Sequence, residues 1–191
     1  MWNSLDRVSD YPTWVYKPSS KTSFRMFRND WLEMFSKSSP IHLLIWVPIL
    51  LYCTLKGIMF RYQFSVGLIF WTLFEYSFHR FIFHRLTFLP KIHFLLHGQH
   101  HKFPLDKSRH LFPPIPALFG TFFIWQFLLF LSANPYSYLT GFLTGYLLYD
   151  IIHYYAHKNR SVHHFQHHYK NNNRNFGISS SFWDICFNTL L

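Results

Sequence analysis

From Ser38 to Leu55 the chain carries no charged residue, and Lys37 and Lys56 bracket the run. Three more stretches of this kind follow: Tyr62 to Trp71, continuing past Glu75 to Phe78; Ile115 to Leu131; and Tyr136 to Asp150 and beyond. A membrane-spanning helix needs about 20 apolar residues, roughly 17 to 25, so these runs lie at the short end and suit a thin bilayer such as that of the endoplasmic reticulum. Helices of a soluble bundle would show a polar stripe, which these lack. A turn at Lys56 to Arg61 joins the first two runs, and Ser132-Ala133-Asn134-Pro135 joins the last two. The pattern predicts two membrane hairpins, hence four transmembrane helices.

Composition supports that reading. Half of the 191 residues are hydrophobic, 23% are aromatic and only 14% are charged, which is too few charges for a typical soluble surface. The net charge of +10 is spread between apolar runs rather than along a stripe, so it argues for membrane topology and against nucleic acid. Six Lys or Arg residues precede Ser38, six lie between Arg80 and Arg109, four follow His157, and only two fall in the hairpin turns. By the positive-inside rule the first three regions are cytosolic, and so are both termini. Residues 1–37 read as a cytosolic arm and residues 38–191 as the membrane domain. Cys53 and Cys186 show no pairing pattern.

Fourteen histidines are present, and ten fall into four tight groups at the cytosolic ends of the expected spans. These are His79 and His84; His97, His100 and His101; His153 and His157; and His164, His167 and His168. The fold class expected is therefore all-α, an integral membrane protein with four transmembrane helices and a cytosolic histidine-rich cap. On a helix at 100° per residue, His153 and His157 share a face, and so do His97 and His101, with His100 displaced around the axis. Adjacent histidines cannot point at one atom, so His100 with His101, and His167 with His168, imply two metal centres served by each motif. His79 and His84, five apart and about 140° around such a helix, fit two neighbouring ions better than one. Imidazole suits iron, zinc, copper and nickel alike, so ligand type does not name the metal.

Glu75 lies one turn before His79, and Asp150 lies three before His153 and seven before His157. Carboxylates at membrane depth are costly and usually functional, and a ligand imidazole commonly donates its second N–H to a carboxylate. Both acids are expected to accept from ligand imidazoles, with an interhelical hydrogen bond and direct ligation as the alternatives. His42 reads as interfacial, His93 and His110 as flanking the cluster, and His163 competes with His164 for a place in the ligand set.

A metal pair at the water–lipid boundary selects an amphiphilic substrate. Hydrolysis needs only a zinc-bound hydroxide on about three ligands, whereas oxidation of an unactivated C–H bond needs a redox metal and oxygen. The residues alone leave that choice open, and also leave open a metal-binding membrane scaffold without activity.

The order His79-x4-His84, His97-x2-His100-His101, His153-x3-His157, His164-x2-His167-His168 resembles the fatty acid hydroxylase superfamily, which includes sterol desaturases. Around it stand F-E-Y-S-F-H-R-F-I-F-H at 74–84, H-G-Q-H-H-K at 97–102, F-P-P at 112–114, G-Y-L-L-Y-D-I-I-H-Y-Y-A-H at 145–157, F-G-I-S at 176–179 and F-W-D at 182–184. Over about residues 40–191 these strings are similar to the fatty acid 2-hydroxylase branch. The resemblance implies a four-span protein of the endoplasmic reticulum with a non-haem di-metal centre held by the ten histidines. It implies iron for the chemistry, with zinc able to occupy the same site, and molecular oxygen as oxidant. Electrons would come through a reductase and cytochrome b5. The product would be a 2-hydroxy acyl chain on a sphingolipid such as ceramide, or on a fatty acid or acyl-CoA precursor. A sterol-modifying or other lipid hydroxylase of the same superfamily is the alternative it leaves. Three features depart from the pattern: no H-P-G-G haem motif occurs, so cytochrome b5 is expected as a separate protein; the segments 84–97 and 157–164 are short; and Lys107 stands where relatives carry Gly in D-G-S-R.

Overall fold

The computed structural model describes residue 5 and residues 8–57, 61–132 and 134–191, and among them it is helical with no strand. Residues 58–60 of the first expected hairpin turn, Ala133 of the second linker, and residues 1–4, 6 and 7 of the arm lie outside the described residues.

Two short helices form in the arm, α1 (Tyr11–Val15) and α2 (Asp30–Ser36). Each starts where a side-chain oxygen caps an otherwise unpaired amide: Asp10 accepts from Thr13 N, and Asn29 from Leu32 N. A 3-10 turn at Pro40–Ile45 then runs into α3 (Trp46–Gly57), and α4 (Arg61–Ser77) follows. After the histidine-bearing segments, α7 (Pro114–Leu131) and α8 (Tyr136–Lys158) form the second long pair. Proline at the first position of α7 costs no hydrogen bond, because that N–H has no helical partner anyway.

α8 is the buried axis of the molecule. Its face from Ser137 to His157 is packed by α3 and α4, with Trp71 set edge-on against Phe142 and Tyr146, and Trp46 against Tyr146, at ring separations of 5.0–5.5 Å. Such close contact needs missing side chains. A Cβ on Gly67 would overlap the Tyr138 carbonyl, and one on Gly141 would overlap the Phe64 carbonyl, so glycine lets the backbones of α4 and α8 meet. In lipid, packing of this kind drives helix association, because hydrophobic transfer between helices contributes little.

The outer surface carries the opposite signal. The stretches Pro40–Gly57 and Lys107–Leu131, with mean hydropathies of 1.4 and 1.7, are long and apolar enough to cross a membrane. They turn Leu51, Leu55, Phe119, Phe122 and Phe130 outward, at 54–85% exposure. An apolar surface of this extent needs a lipid or protein cover.

Four more short helices sit at one end of α4 and α8: α5 (Pro90–His93), α6 (Gln99–Lys102), α9 (Val162–Tyr169) and α10 (Phe182–Cys186). The arm packs on this end. Leu5, Tyr11, Val15 and Met26 form a small second core with Phe94 and Phe103, and Ser19 N donates to Lys102 O at 2.8 Å. Both cysteines are free, Cys53 buried and Cys186 exposed.

Candidate metal centre

Ten imidazoles gather into two groups of five. His79, His84, His97, His101 and His167 form group A; His100, His153, His157, His164 and His168 form group B. All ten are buried, and within each group one ring nitrogen from every histidine lies within 4.8 Å of the others. The adjacent pairs split as their geometry demands: His101 and His167 face group A, His100 and His168 face group B.

The local backbone explains each placement. His153 and His157 are one α-helical turn apart and enter group B together, and His97 and His101 enter group A together. His79 and His84 do not divide between two centres, as α-helical spacing predicts; both belong to group A. The reason is a π-helical turn at Phe78–Phe83, in which His84 N bonds His79 O, five residues back, at 3.2 Å. The wider turn brings i and i+5 onto one face. His164 rather than His163 points into group B, while His163 Nε2 donates to Gly177 O at 3.2 Å.

The nitrogens within a group cannot all be hydrogen-bonded to each other. His164 Nε2 faces the Nε2 atoms of His153, His157 and His168 at 2.9, 2.7 and 3.0 Å, yet one such nitrogen has either a single proton or a single lone pair. The arrangement is instead that of lone pairs converging on a cation. With metal–nitrogen bonds of about 2.0–2.1 Å, neighbouring ligands stand roughly 2.9 Å apart at right angles and roughly 3.4 Å apart in a tetrahedron. The closest Nε2 pairs lie at 3.1–3.2 Å in group A and 2.7–3.2 Å in group B, and all five donors of each group lie within 4.8 Å of one another, a spacing that the ligands of a single ion can adopt. Burial, reinforced by the neighbouring rings, holds His84, His97, His100, His101, His164, His167 and His168 well below the usual histidine range. Each is neutral at pH 7, the form that binds metal.

Main-chain carbonyls orient the rings. Nδ1 of His79 donates to Phe176 O at 2.6 Å, Nδ1 of His167 to Arg174 O at 2.6 Å, and Nδ1 of His100 to Arg109 O at 3.1 Å, which fixes their tautomers with Nε2 free. The expected contacts from Glu75 and Asp150 to imidazoles do not form. Both acids are buried, but Glu75 accepts from the amides of Ile178 and Ser179 and from the Ser179 hydroxyl, and Asp150 accepts from Phe112 N at 3.1 Å. The cause is reach: each carboxylate lies opposite a loop with unpaired amides, and those loops carry the carbonyls that hold His79 and His100. Their influence on the histidines runs through backbone.

Asp184 acts likewise and was not singled out in the sequence. Fully buried, it accepts from Phe176 N, Gly177 N and Thr189 Oγ1 at 2.8–2.9 Å; the F-W-D string was its only signal. The arm adds Tyr16, stacked on His84 at 5.2 Å. Its hydroxyl donates to His84 O at 3.3 Å, so His93 Nε2–H donates to Tyr16 at 3.1 Å and His93 Nδ1 accepts from the Tyr11 hydroxyl at 2.7 Å. His110 stacks on His157 at 4.4 Å and its Nε2 donates to Pro104 O. His42 Nδ1 accepts from Ser39 N and caps the turn before α3.

Two cavities adjoin the histidines. One, of about 400 Å³, is walled by Trp71, Phe74, Phe78, Phe142 and the inner edge of α7, and ends at Glu75 and His79. The other, of about 30 Å³, has room for one water and is lined by His97, His100, His153, Gln99, Arg109 and Ser36. Leu96, Phe112 and Tyr149 border both.

Residues 64–189 match the family model described as fatty acid hydroxylase. The chain is 35% identical to the fatty acid 2-hydroxylase of Homo sapiens, an alignment covering 100% of this chain and 62% of that protein. It is 33% identical to a dihydroceramide fatty acyl 2-hydroxylase of Arabidopsis thaliana, covering 95% of this chain and 86% of that protein. The chain spans between 42% and 63% of the length of the mammalian relatives it matches. A solved structure described as full-length scs7p, with only the hydroxylase domain visible, superposes with a TM-score of 0.87 at 31% identity, covering 99% of this chain and 82% of that one.

Proposed function

Because this chain belongs to the fatty acid hydroxylase family, we propose that it hydroxylates the 2-position of a lipid acyl chain, taken as ceramide, acyl-CoA or free fatty acid, at a centre of two metal ions. The observation that carries the reading is the junction of two five-imidazole groups with an apolar cavity on one side and a water-sized polar cavity on the other. A lipid whose carbonyl reaches Leu96, Phe112 and Tyr149, where the water-sized cavity adjoins the apolar one, and whose chain lies among Trp71, Phe74 and Phe142, has its first carbons at the histidines. That favours oxidation next to the carbonyl over oxidation far along the chain.

His79, His84, His97, His101 and His167 would hold one ion, and His100, His153, His157, His164 and His168 the other. Bound there, redox-active ions such as iron supply the activation of molecular oxygen that C–H hydroxylation needs; zinc fits the same donors without that chemistry. The protein's part is to hold the imidazoles neutral and turned inward through the carbonyls of Arg109, Arg174 and Phe176, to exclude bulk water, and to fix the chain in an apolar wall.

We further read α3, α4, α7 and α8 as four spans of the endoplasmic reticulum membrane, with residues 1–37 a cytosolic arm, residues 38–191 the hydroxylase domain, and both termini cytosolic beside the histidine cap. Glu75 and Asp150 support the ligands from one layer further out. Electrons reach the 191-residue chain from cytochrome b5 and its reductase. The test is to purify the full chain in detergent, measure its metal, and reconstitute it with reductase and cytochrome b5. About two transition-metal ions per chain and oxygen-dependent formation of 2-hydroxy lipid are expected. No metal, or a hydroxyl at another carbon, would falsify the reading.

A further inference from the structure

The apolar cavity is open on one side. On α7 its lining runs along Pro116, Ala117, Gly120, Phe123 and Ile124, yet α7 buries only Pro114, Ala117 and Leu128. Gly120 stands at the edge of this inward strip. A side chain there would meet no atom within 4 Å, whereas each of the other six glycines has a neighbour inside that distance. Glycine inside a helix costs about 1 kcal/mol relative to alanine, and at Gly67 and Gly141 close backbone packing offsets that cost. No such packing exists at Gly120.

What surrounds Gly120 is a rim of phenylalanines. Phe119 and Phe123 line the cavity and are 65% and 55% exposed; across from them Phe78, which opens the π-helical turn after α4, also lines it and is 36% exposed. The cavity wall is thus continuous with the outward apolar surface, through a gap between α4 and α7 with no charged residue on this rim. The rim begins at Phe78, beside His79, and the cavity runs on to Trp71, eight residues from His79 along α4 and the turn that follows, about 12 Å at helical rise, so the cavity extends from the level of the histidines into the apolar stem.

We propose that this gap is a lateral portal by which the acyl chain of a bilayer lipid slides from the membrane into the cavity, and that Gly120 keeps it open. The proposal rests on the function proposed above. The occupant is an aliphatic chain because the route is apolar from lipid surface to histidines, while the opposite approach is covered by Tyr11, Tyr16 and the rest of the arm. A two-chain lipid can enter this way with its second chain still in the bilayer.

The test uses the full metal-loaded chain in aerobic lipid nanodiscs containing a lipid with a conjugated-tetraene acyl chain, read by energy transfer from tryptophan, with the W71F variant identifying the signal from the cavity; cytochrome b5, its reductase and NADPH are added after filling is read, so that product is scored in the same sample. Wild type and G120A should fill saturably. G120F should fill at least roughly tenfold more weakly, as when a ligand must displace a misplaced side chain, with metal content unchanged. Should G120F lose its metal or fail to fold, F123A, which widens the gap, must fill faster than wild type; an unchanged rate overturns the portal. Filling of G120F at the wild-type level, with 2-hydroxy product still formed, overturns the portal and leaves the proposed function standing. Absence of saturable filling in wild type overturns the portal too, and absence of 2-hydroxy product in that same sample shows that the function has failed with it.

Discussion

Arg109 works through two different groups. Its carbonyl accepts from His100 Nδ1, while its buried guanidinium bonds Glu33 at 3.4 Å, Ser23 Oγ at 3.2 Å and the Ser36 carbonyl. The arm therefore grips the loop that orients a group B histidine. Glu33→Gln leaves the Arg109 guanidinium uncompensated, whereas Arg109→Lys keeps the charge but loses the forked donors that reach Ser23, Ser36 and Glu33 together; in either case the loop carrying the carbonyl should shift. Glu33→Gln and Arg109→Lys are expected to lower retention of one of the two metal ions by about 10–100-fold, the usual effect of losing such support. Metal content falling from two ions to one, at unchanged thermal stability, would mark positioning of His100; loss of both in step with stability would mark a merely structural role. Asp106 ties the same loop to Ser23 from the other side. Burial pushes its carboxyl up, but the hydroxyls and amides of Ser23 and Ser108 outweigh this and hold it at about 2 against an ordinary 3.8. Because the folded value is the lower one, the stability Asp106 contributes is present above pH 3.8 and disappears as pH falls toward 2. The gap in detergent melting temperature between wild type and Asp106→Asn should stay constant above that window and close within it; a gap that widens on acidification contradicts the assignment.

At the scale of elements, group A and group B depend on one contact, the backbone approach of α4 to α8. α4 leads into His79, and α8 carries His153 and His157, so their relative depth sets the separation of the two groups. Gly67 and Gly141 permit that approach. Gly141→Leu is expected to force the helices apart at a cost of at least about 1–3 kcal/mol, the typical penalty of overpacking, and to reduce both ions together. Gly141→Ala should give a smaller loss in the same direction. Purified variants with two ions and a wild-type melting temperature would show that the close approach is dispensable. The π-helical turn is the other element that matters, since without it His84 would rotate away from His79.

For the whole molecule, the arrangement is a helical stem with an apolar surface and one polar end, with the arm folded over that end. The apolar runs between basic segments sufficed to read the helical class, because a bilayer leaves a chain little choice but to satisfy its backbone internally. Histidine spacing within α6, α8 and α9 sufficed to divide adjacent histidines between two groups, because side-chain direction follows from position on a regular helix. At the π-helical turn Phe78–Phe83 that reasoning fails: nothing in F-H-R-F-I-F-H announces the wider turn, and α-helical spacing separates His79 from His84, although His97, in a second π-helical turn at Phe94–Gly98, joins His101 as expected. The partners of Glu75 and Asp150 were likewise beyond reach, since they belong to amides 103 and 38 residues away in sequence, and main-chain donors leave no mark on composition. The clamp by Glu33, Tyr16 and Tyr11 was invisible for the same reason. The clustered histidines, the helices that carry them and the apolar runs beside them are legible in the chain alone, because all of these are local properties. Which five imidazoles converge, what holds their second nitrogens, and where the apolar cavity lies came from the folded molecule, because each of these depends on segments brought together by packing alone.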